Sequence, residues 1–288
     1  MSETFNWDSP IIIIGAGRSG STLLTSILGE HSQVYMVGET AFLLNRLWQA
    51  FFAEPDYVAT PAWGLLQDSR PEWRSMLWHD FYNGPLTEQM ADGGSDALRR
   101  VEAAERDRLA RCLGRFVTEA MVPPPLRRKL WVLQEIWNGS TSFPYGWEVH
   151  ERAFPTARYV QVVRHPWTWM QSYFLRMEVV PTAGDMVFAL RNWVSMTEMA
   201  GRQQRHGDRY ALFQYEQVAA DPTPGIHRLL DFAGLADEPG CHLAGTRKYG
   251  ESPHRIVLPA LTEAQVESVG GLLALMERFG YTPPASDV

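Results

Sequence analysis

The sequence predicts a three-layer α/β fold in which a central parallel sheet lies between layers of helices. Three observations predict it. The β-branched run from Ile11 to Ile14 leads through a glycine loop into an amphipathic segment from Thr22 to Leu28, which is the order strand, loop, helix. Further apolar runs with the length of buried strands alternate with helical stretches. With 288 residues, 45% of them hydrophobic, the chain can bury one large core, so a single domain over residues 1–288 is expected.

The later elements follow in chain order. Short apolar runs predict three more strands, at Lys129 to Leu133, Arg158 to Val163 and Tyr210 to Gln214. Helical patterns predict four helices, at Trp167 to Met177, Asp185 to Arg202, Pro224 to Phe232 and Thr262 to Phe279. His165-Pro166 suits a strand that stops before a helix, because proline is favoured in a first helical turn. Thr262 and Gly280 are residue types expected at the two ends of the last helix.

The segment from Asn45 to Arg128 differs from the rest of the chain, because its pattern is helical, charged and rich in aromatic residues. We expect it to form a helical insertion, or lid, within the domain. Its aromatic side chains either pack the insertion onto the core or face a bound molecule, since ligand pockets are mostly apolar and aromatic. They include Trp48, Trp63, Trp73, Trp78, Phe81 and Tyr82.

Composition and charge exclude several classes of protein. The formal charge of −7 and the absence of a basic stripe argue against nucleic acid as a partner. Cys112 and Cys241 imply no disulfide framework, favour a reducing compartment and are expected to be packing residues. The first ten residues lack the features of a signal peptide, and no apolar run reaches the roughly 20 residues that span a bilayer. A cytoplasmic protein without a membrane partner is therefore expected.

The glycine loop from Gly15 to Thr22 nearly matches the phosphate-binding pattern G-x-x-x-x-G-K-[ST], and the predicted strand and helix flank it as that pattern requires. The pattern's lysine is missing, and Ser21 stands in its place, which disfavours ATP or GTP chemistry. Backbone N–H groups, the helix dipole, the Arg18 cation and the loop hydroxyls are nevertheless suited to one small anionic group. A P-loop-like sandwich is therefore expected. The alternatives are a glycine turn without a ligand and the dinucleotide fingerprint G-x-G-x-x-G, formed by Gly15, Gly17 and Gly20.

Two elements together resemble the sulfotransferases that use 3′-phosphoadenosine-5′-phosphosulfate (PAPS). The sequence Arg18-Ser19-Gly20-Ser21-Thr22-Leu23 resembles their 5′-phosphosulfate loop, written P-R-S-G-T-T-L. Arg164, at the end of a predicted strand, is separated by seven residues from Ser172, which resembles their 3′-phosphate element. An arginine and a serine so placed can converge on one phosphate, although a surface arginine beside a helix serine would show the same spacing. The resemblance implies that the loop binds PAPS through Gly17, Arg18, Ser19, Gly20, Ser21 and Thr22.

Within that family, the chain resembles most the tyrosylprotein sulfotransferase branch and its bacterial relatives. The shared features include Phe154-Pro155, Tyr215-Glu216-Gln217, and Lys248 followed by Ser252 and Pro259. This resemblance implies that Arg176, Tyr215 and Lys248 contact the nucleotide, with Arg247 as an alternative to Lys248. Without it, these residues would be taken as a helix-surface arginine, a core tyrosine and solvated loop cations.

The same branch carries a catalytic glutamate in a turn after the first helix, and Val37-Gly38-Glu39-Thr40 stands at the matching interval from Arg18. Glu39 is therefore the candidate general base, the alternative being a structural carboxylate at a helix end. One departure concerns a family lysine that is not found around Gln134 to Ser142. Arg18, Lys248 or backbone amides would then stabilise the charge of the transition state.

The function expected from this resemblance is sulfuryl transfer from PAPS to an acceptor hydroxyl, in a site that requires no metal. The eight histidines form no recognisable ligand motif along the sequence. A small hydroxylated or phenolic metabolite is the first choice of acceptor and a peptide tyrosine the second. Two alternatives from other classes are a P-loop small-molecule kinase and a non-catalytic nucleotide-binding protein.

Overall fold

The computed structural model describes residues 6–39, 103–127, 129–137, 148–246 and 256–282. Its strands form one five-stranded parallel sheet in the order β2-β3-β1-β4-β5. They are β1 (Ile11–Ala16), β2 (Val34–Glu39), β3 (Leu130–Trp137), β4 (Arg158–Val163) and β5 (Tyr210–Gln214). Helices flank the sheet, so the predicted α/β class with a central parallel sheet is confirmed.

Strand β1 is the middle strand of the sheet, and every one of its six residues is buried. A strand that is buried on both faces carries apolar side chains on both, which explains the uninterrupted isoleucine run. The chain leaves β1 toward β2 on one side of the sheet, whereas β4 and β5 lie on the other side. Ligands in open parallel sheets bind where the strand order reverses in this way, beyond the carboxyl ends of the strands.

The described helices follow the strands in chain order. The first half of the chain contributes α1 (Ser21–Gly29), α2 (Ala103–Met121), a 3₁₀ turn (Pro124–Leu126) and α3 (Glu148–Ala153). The second half contributes α4 (Pro166–Met177), α5 (Ala183–Gly201), a 3₁₀ stretch (Arg202–Arg209), α6 (Tyr215–Ala220), α7 (Pro222–Ala233), α8 (Pro239–Thr246), α9 (Glu263–Glu267) and α10 (Leu272–Arg278). In the part of the chain that the structure describes, no helix combines the length and the apolar character that crossing a bilayer requires.

Three element predictions differ from the structure. The single helix expected from Thr262 to Phe279 is divided into α9 and α10, because Gly271 takes a left-handed φ of +81° and caps α10. The predicted cap at Thr262 is confirmed, since its hydroxyl accepts from the Gln265 N–H and the Gln265 side-chain oxygen accepts from the Thr262 N–H. The Glu39 segment, expected as a turn, is the end of strand β2, and β3 continues past its predicted end at Leu133 to Trp137.

The chain divides into two compact units, and the first comprises Met1–Ile11, Val37–Leu133 and Thr141–Arg158. Within it, α2 packs closely on α3, because Gly114 has no side chain at the contact. An added Cβ would lie 2.8 Å from the Ala153 Cβ. The ring of Trp131 meets the ring of Phe154 edge to face at 5.3 Å. Helix α2 and the 3₁₀ turn that follows it belong to the segment predicted to be an insertion, and most of the remainder of that segment lies outside the described residues.

The second unit comprises Ile12–Met36, Gln134–Ser140 and Tyr159–Val288. A buried polar contact fixes α5 against the sheet, because the Gln161 side chain of β4 donates to the Thr197 carbonyl at 3.1 Å and accepts from the Tyr210 hydroxyl at 2.5 Å. Strands β4 and β5 pair in parallel, with Val163 opposite Gln214 as the last pair. This register sets two residues side by side immediately after the strands, namely Arg164 and Tyr215.

Glycine at position 15 is required for the close approach of β1 to β4, and Gly15→Ala tests this. The residue has a φ of +149°, and an added Cβ would lie 2.6 Å from the Val162 carbonyl oxygen. We expect this substitution to lower the free energy of unfolding by roughly 1–3 kcal/mol, measured by urea denaturation. Gly270→Ala is the matched control, because no atom lies within 4 Å of its added Cβ. Equal losses in the two variants would contradict the packing argument.

Candidate functional site

The loop from Gly17 to Gly20 joins the buried strand β1 to α1 and is held in a strained shape. Arg18 has a φ of +70°, which is uncommon for a residue with a side chain, and Gly20 has a φ of +102°. The indole of Trp169, on α4, donates from Nε1 to the Gly17 carbonyl at 2.5 Å. The Ser19 N–H donates to the Ala16 carbonyl at 3.2 Å. Local backbone strain of this kind is typical of functional sites.

This loop offers hydrogen-bond donors that have no acceptor within the described residues. The Ser19 side chain is 1% exposed, and its hydroxyl has no partner there. Gly20 is the N-cap of α1 and provides no side-chain acceptor for the first N–H groups of the helix. Free N–H groups at a helix N-terminus, together with the helix dipole, favour a bound anion. The loop therefore has the properties of an anion site that its sequence predicts.

Arg18, Arg164 and Ser172 come together at this loop, although Arg18 lies about half the chain away from the other two. The Arg18 Nε donates to the Ser172 hydroxyl at 3.3 Å. The Arg164 Nη1 donates to the Arg18 carbonyl at 3.3 Å, and its Nε donates to the Thr168 hydroxyl at 3.3 Å. Arg164 and Ser172 are thus joined through Arg18, an arrangement that their spacing of seven residues did not reveal.

The two guanidinium groups form no ion pair with any carboxylate of the described residues. Burial lowers the pKa of Arg164, and the charge of Arg18 lowers it further, whereas Tyr215 and Glu216 act in the opposite direction. Arginine stays protonated in proteins, so this lowering measures how unfavourable the charge is at the site rather than a loss of the proton. A bound anion would relieve both the desolvation and the repulsion between the two cations.

Tyr215 closes one side of the cluster. The Arg164 guanidinium carbon lies 4.3 Å from the centroid of the Tyr215 ring, which is a cation–π contact. The same ring lies against Gly20, where an added Cβ would be 2.3 Å from the Tyr215 Cδ2. The glycine of the loop therefore has a second role besides its φ, since it admits the tyrosine that holds Arg164.

A hydrogen-bond network around Glu216 fixes the turn between β4 and α4, and sequence reasoning did not identify its role. One Glu216 carboxylate oxygen accepts from the His165 N–H at 2.8 Å and from the Thr168 hydroxyl at 3.1 Å. The other accepts from the Tyr281 hydroxyl at 3.0 Å. Burial raises the pKa of Tyr281, and the Glu216 charge and hydrogen bond raise it further, so the phenol remains a donor. The resemblance singled out Tyr215-Glu216-Gln217, but the sequence did not indicate the hydrogen bonds that Glu216 makes.

Gln134 provides a further contact to the loop from the neighbouring strand β3. Its Nε2 donates to the Ser21 hydroxyl at 3.0 Å. Ser21 stands where a nucleotide-binding P-loop has its lysine, and Gln134 begins the segment in which the family lysine was not found. A neutral amide therefore contacts the loop here and orients a hydroxyl without adding a charge.

The remaining predicted site residues have different placements. Arg176 is exposed in the last turn of α4, one helical turn after Ser172, where a cation is also favoured by the helix dipole. Glu39 is the last residue of β2. Arg247 and Lys248 lie outside the described residues, directly after the end of α8. The structure thus brings together five predicted residues, namely Arg18, Gly20, Arg164, Ser172 and Tyr215.

Comparisons with known proteins identify the family of the chain. A family model described as the sulfotransferase family matches residues 10–239. The sulfotransferase domain from the olefin synthase of Synechococcus PCC 7002 is 21% identical with a TM-score of 0.52, and the match covers 96% of each chain. The sulfotransferase domain from the curacin biosynthetic pathway is 17% identical with a TM-score of 0.53, covering 96% of this chain and 99% of that one. No curated protein sequence matches the chain.

Removing the Glu216 carboxylate tests whether its network supports the site. We expect Glu216→Ala to lower the free energy of unfolding by about 1–3 kcal/mol, because the half-buried partners of the carboxylate lose their acceptor. Urea denaturation measures this loss, and Glu267→Ala, at an exposed glutamate of α9, is the control. Tyr281→Phe removes one donor only and should cost less than Glu216→Ala. The interpretation is wrong if Glu216→Ala is as stable as its control.

Proposed function

The chain belongs to the sulfotransferase family, and we propose that it transfers the sulfuryl group of PAPS to an acceptor hydroxyl. The observation that carries this proposal is the contact of Arg164 with the loop that contains Arg18. In this loop the buried Ser19 hydroxyl has no partner among the described residues, and Ser21 stands in place of the P-loop lysine. PAPS carries two separated anionic groups, a 5′-phosphosulfate and a 3′-phosphate. A site with two cations and a serine from separate parts of the chain suits such a molecule better than it suits a single phosphate.

We propose that each group binds one part of the cluster. The 5′-phosphosulfate would accept hydrogen bonds from the loop N–H groups and from the buried Ser19 hydroxyl, which lacks another acceptor in the described part of the chain. The 3′-phosphate would bind Arg164 and Ser172. Tyr215 holds Arg164 in place through its ring, and Arg176 and either Arg247 or Lys248 are further proposed contacts.

Sulfuryl transfer requires positioning and charge stabilisation more than covalent help from the protein, by analogy with phosphoryl transfer. The acceptor oxygen forms a bond to sulfur as the bond from sulfur to the phosphate oxygen breaks. We propose that Glu39 takes the acceptor proton, and that Arg18 and the loop N–H groups stabilise the charge left on the phosphate. Strand β2 ends at Glu39, and ligands of parallel sheets bind beyond strand ends, which supports this choice. Lys248 is a proposed further source of positive charge.

The acceptor we favour is a small hydroxylated or phenolic metabolite. The formal charge of −7 opposes the acidic peptides that a peptide tyrosine sulfotransferase of the resembled branch modifies, because like charges repel. Two similar structures are sulfotransferase domains from an olefin synthase and from a biosynthetic pathway, which also favours a metabolite as the acceptor. A peptide tyrosine is the second candidate.

The first prediction is that adenosine 3′,5′-bisphosphate binds far more tightly than 5′-AMP, because only the bisphosphate carries the 3′-phosphate. Arg164→Ala should remove most of this preference, since a charge-assisted hydrogen bond contributes roughly 1.5–3 kcal/mol. Arg164→Lys should fall between the two, because lysine keeps the charge without the guanidinium fork. Calorimetric titration measures both affinities, and Arg202→Ala, at an exposed arginine, is the control. Equal affinity of the wild type for the two nucleotides would rule out the assignment.

The second prediction concerns the proposed base. Glu39→Gln keeps the shape of the side chain but cannot accept a proton, so we expect single-turnover sulfuryl transfer to slow by about 10²–10⁴-fold. Bisphosphate affinity and thermal stability should stay near wild type, and Glu267→Gln is the matched control. A rate within a few-fold of wild type would mean that another group is the base. A loss of roughly 0.3–1 kcal/mol of stability with unchanged turnover would instead indicate a helix-end carboxylate.

A further inference from the structure

Three potential metal ligands lie together outside the cluster of arginines, on the helices that follow β5. His227 belongs to α7, His242 belongs to α8, and Asp237 lies in the loop between these helices. The Nε2 of His242 lies 2.7 Å from one Asp237 carboxylate oxygen, and the Nε2 of His227 lies 3.4 Å from the other. The two imidazole rings meet nearly edge to face, with centroids 5.3 Å apart. Along the sequence the three residues match no ligand motif, so only the fold reveals the group.

The chemistry of this group is that of a metal site. One ligand atom from each residue lies within 4.8 Å of the other two, so a modest contraction brings all three into reach of one ion. Two imidazole nitrogens and a carboxylate are a donor set found in zinc and other transition-metal proteins, and hard ions such as Mg²⁺ prefer oxygen ligands. Both histidines present the same nitrogen, and the side chains are accessible to solvent, which leaves room for water as a further ligand.

We propose that His227, Asp237 and His242 bind one divalent transition-metal ion of the Zn²⁺ class. The site is independent of the proposed sulfuryl transfer. It connects α7 to α8, and a bound ion would hold these helices together through side chains, in addition to the packing that they already share.

The backbone on both sides of Asp237 is already fixed, which favours metal binding because little ordering remains to be done. The Ala236 carbonyl lies 3.0 Å from the Nε2 of His31, at the end of α1. The Glu238 carboxylate accepts from the Ser32 N–H at 2.8 Å and from its hydroxyl at 2.5 Å. Helix α7 ends at Ala233, and its C-cap Gly234, with a φ of +69°, turns the chain into this loop.

Binding of the ion would replace the contacts between Asp237 and the two histidines, since the histidines must present unprotonated nitrogens to a metal.

The test is calorimetric titration of the full, tag-free chain with Zn²⁺. We expect one strong site in the wild type and no such site in the double variant His227→Ala/His242→Ala. Asp237→Asn, which keeps the shape of the side chain, should bind at least tenfold more weakly. Asp231→Asn, at an exposed carboxylate also carried by α7, is the control and should bind as the wild type does.

Thermal unfolding with and without Zn²⁺ provides a second readout, since a ligand that binds only the folded state raises the melting temperature. The wild type and Asp231→Asn should be stabilised by the ion, whereas Asp237→Asn should be stabilised much less at the same concentration. Absence of strong Zn²⁺ binding in the wild type would overturn the proposal. Equal binding by the wild type and Asp237→Asn would also overturn it, because the ion would then bind elsewhere. Neither outcome bears on nucleotide binding, so the two proposals fail separately.

Discussion

The interaction on which the site depends is the approach of two positive guanidinium groups, those of Arg18 and Arg164, without a carboxylate partner in the described residues. Burial opposes the charge of Arg164 and the charge of Arg18 repels it, while Tyr215 and Glu216 offset part of this cost. The strained φ of Arg18 adds to this cost. The surrounding contacts hold the cations in place, and a bound anion would offset these costs. The cluster is therefore suited to the doubly anionic nucleotide that we propose as its ligand.

The parallel sheet explains how distant residues reach this place. Strand β1 is central and leads into the loop. Strands β4 and β5 pair in a register that ends with Val163 opposite Gln214. Arg164 is the residue after β4 and Tyr215 is the residue after β5, which explains the contact between the guanidinium and the ring. Glu216 follows Tyr215 directly and accepts from the His165 N–H, which fixes the start of α4. Arg164 is therefore held by the residues that follow β5 as well as by its own turn.

Sequence reasoning predicted the parts of the fold and site that depend on local pattern. The buried strands β1, β4 and β5 have strong apolar runs, and the loop has its glycines, so these were predicted correctly. The edge strand β2 was missed because Gly38, with a φ of +90°, has the appearance of a turn in the sequence. The Glu216 network joins residues up to 65 positions apart, and the Gln134 contact joins two that are 113 apart. No spacing rule connects such positions, because tertiary packing alone brings them together.

The central claim, that the two-arginine cluster is the binding site of a 3′-phosphorylated adenosine nucleotide, is tested most directly by calorimetric competition among three nucleotides. Adenosine 3′,5′-bisphosphate, ATP and NAD present different anionic groups to the same loop, and they also separate a sulfotransferase from a kinase and from a dinucleotide-binding protein. We expect tight binding of the bisphosphate at one site per chain, with ATP and NAD at least tenfold weaker. Preferential binding of ATP or NAD, or no binding of the bisphosphate, would contradict it.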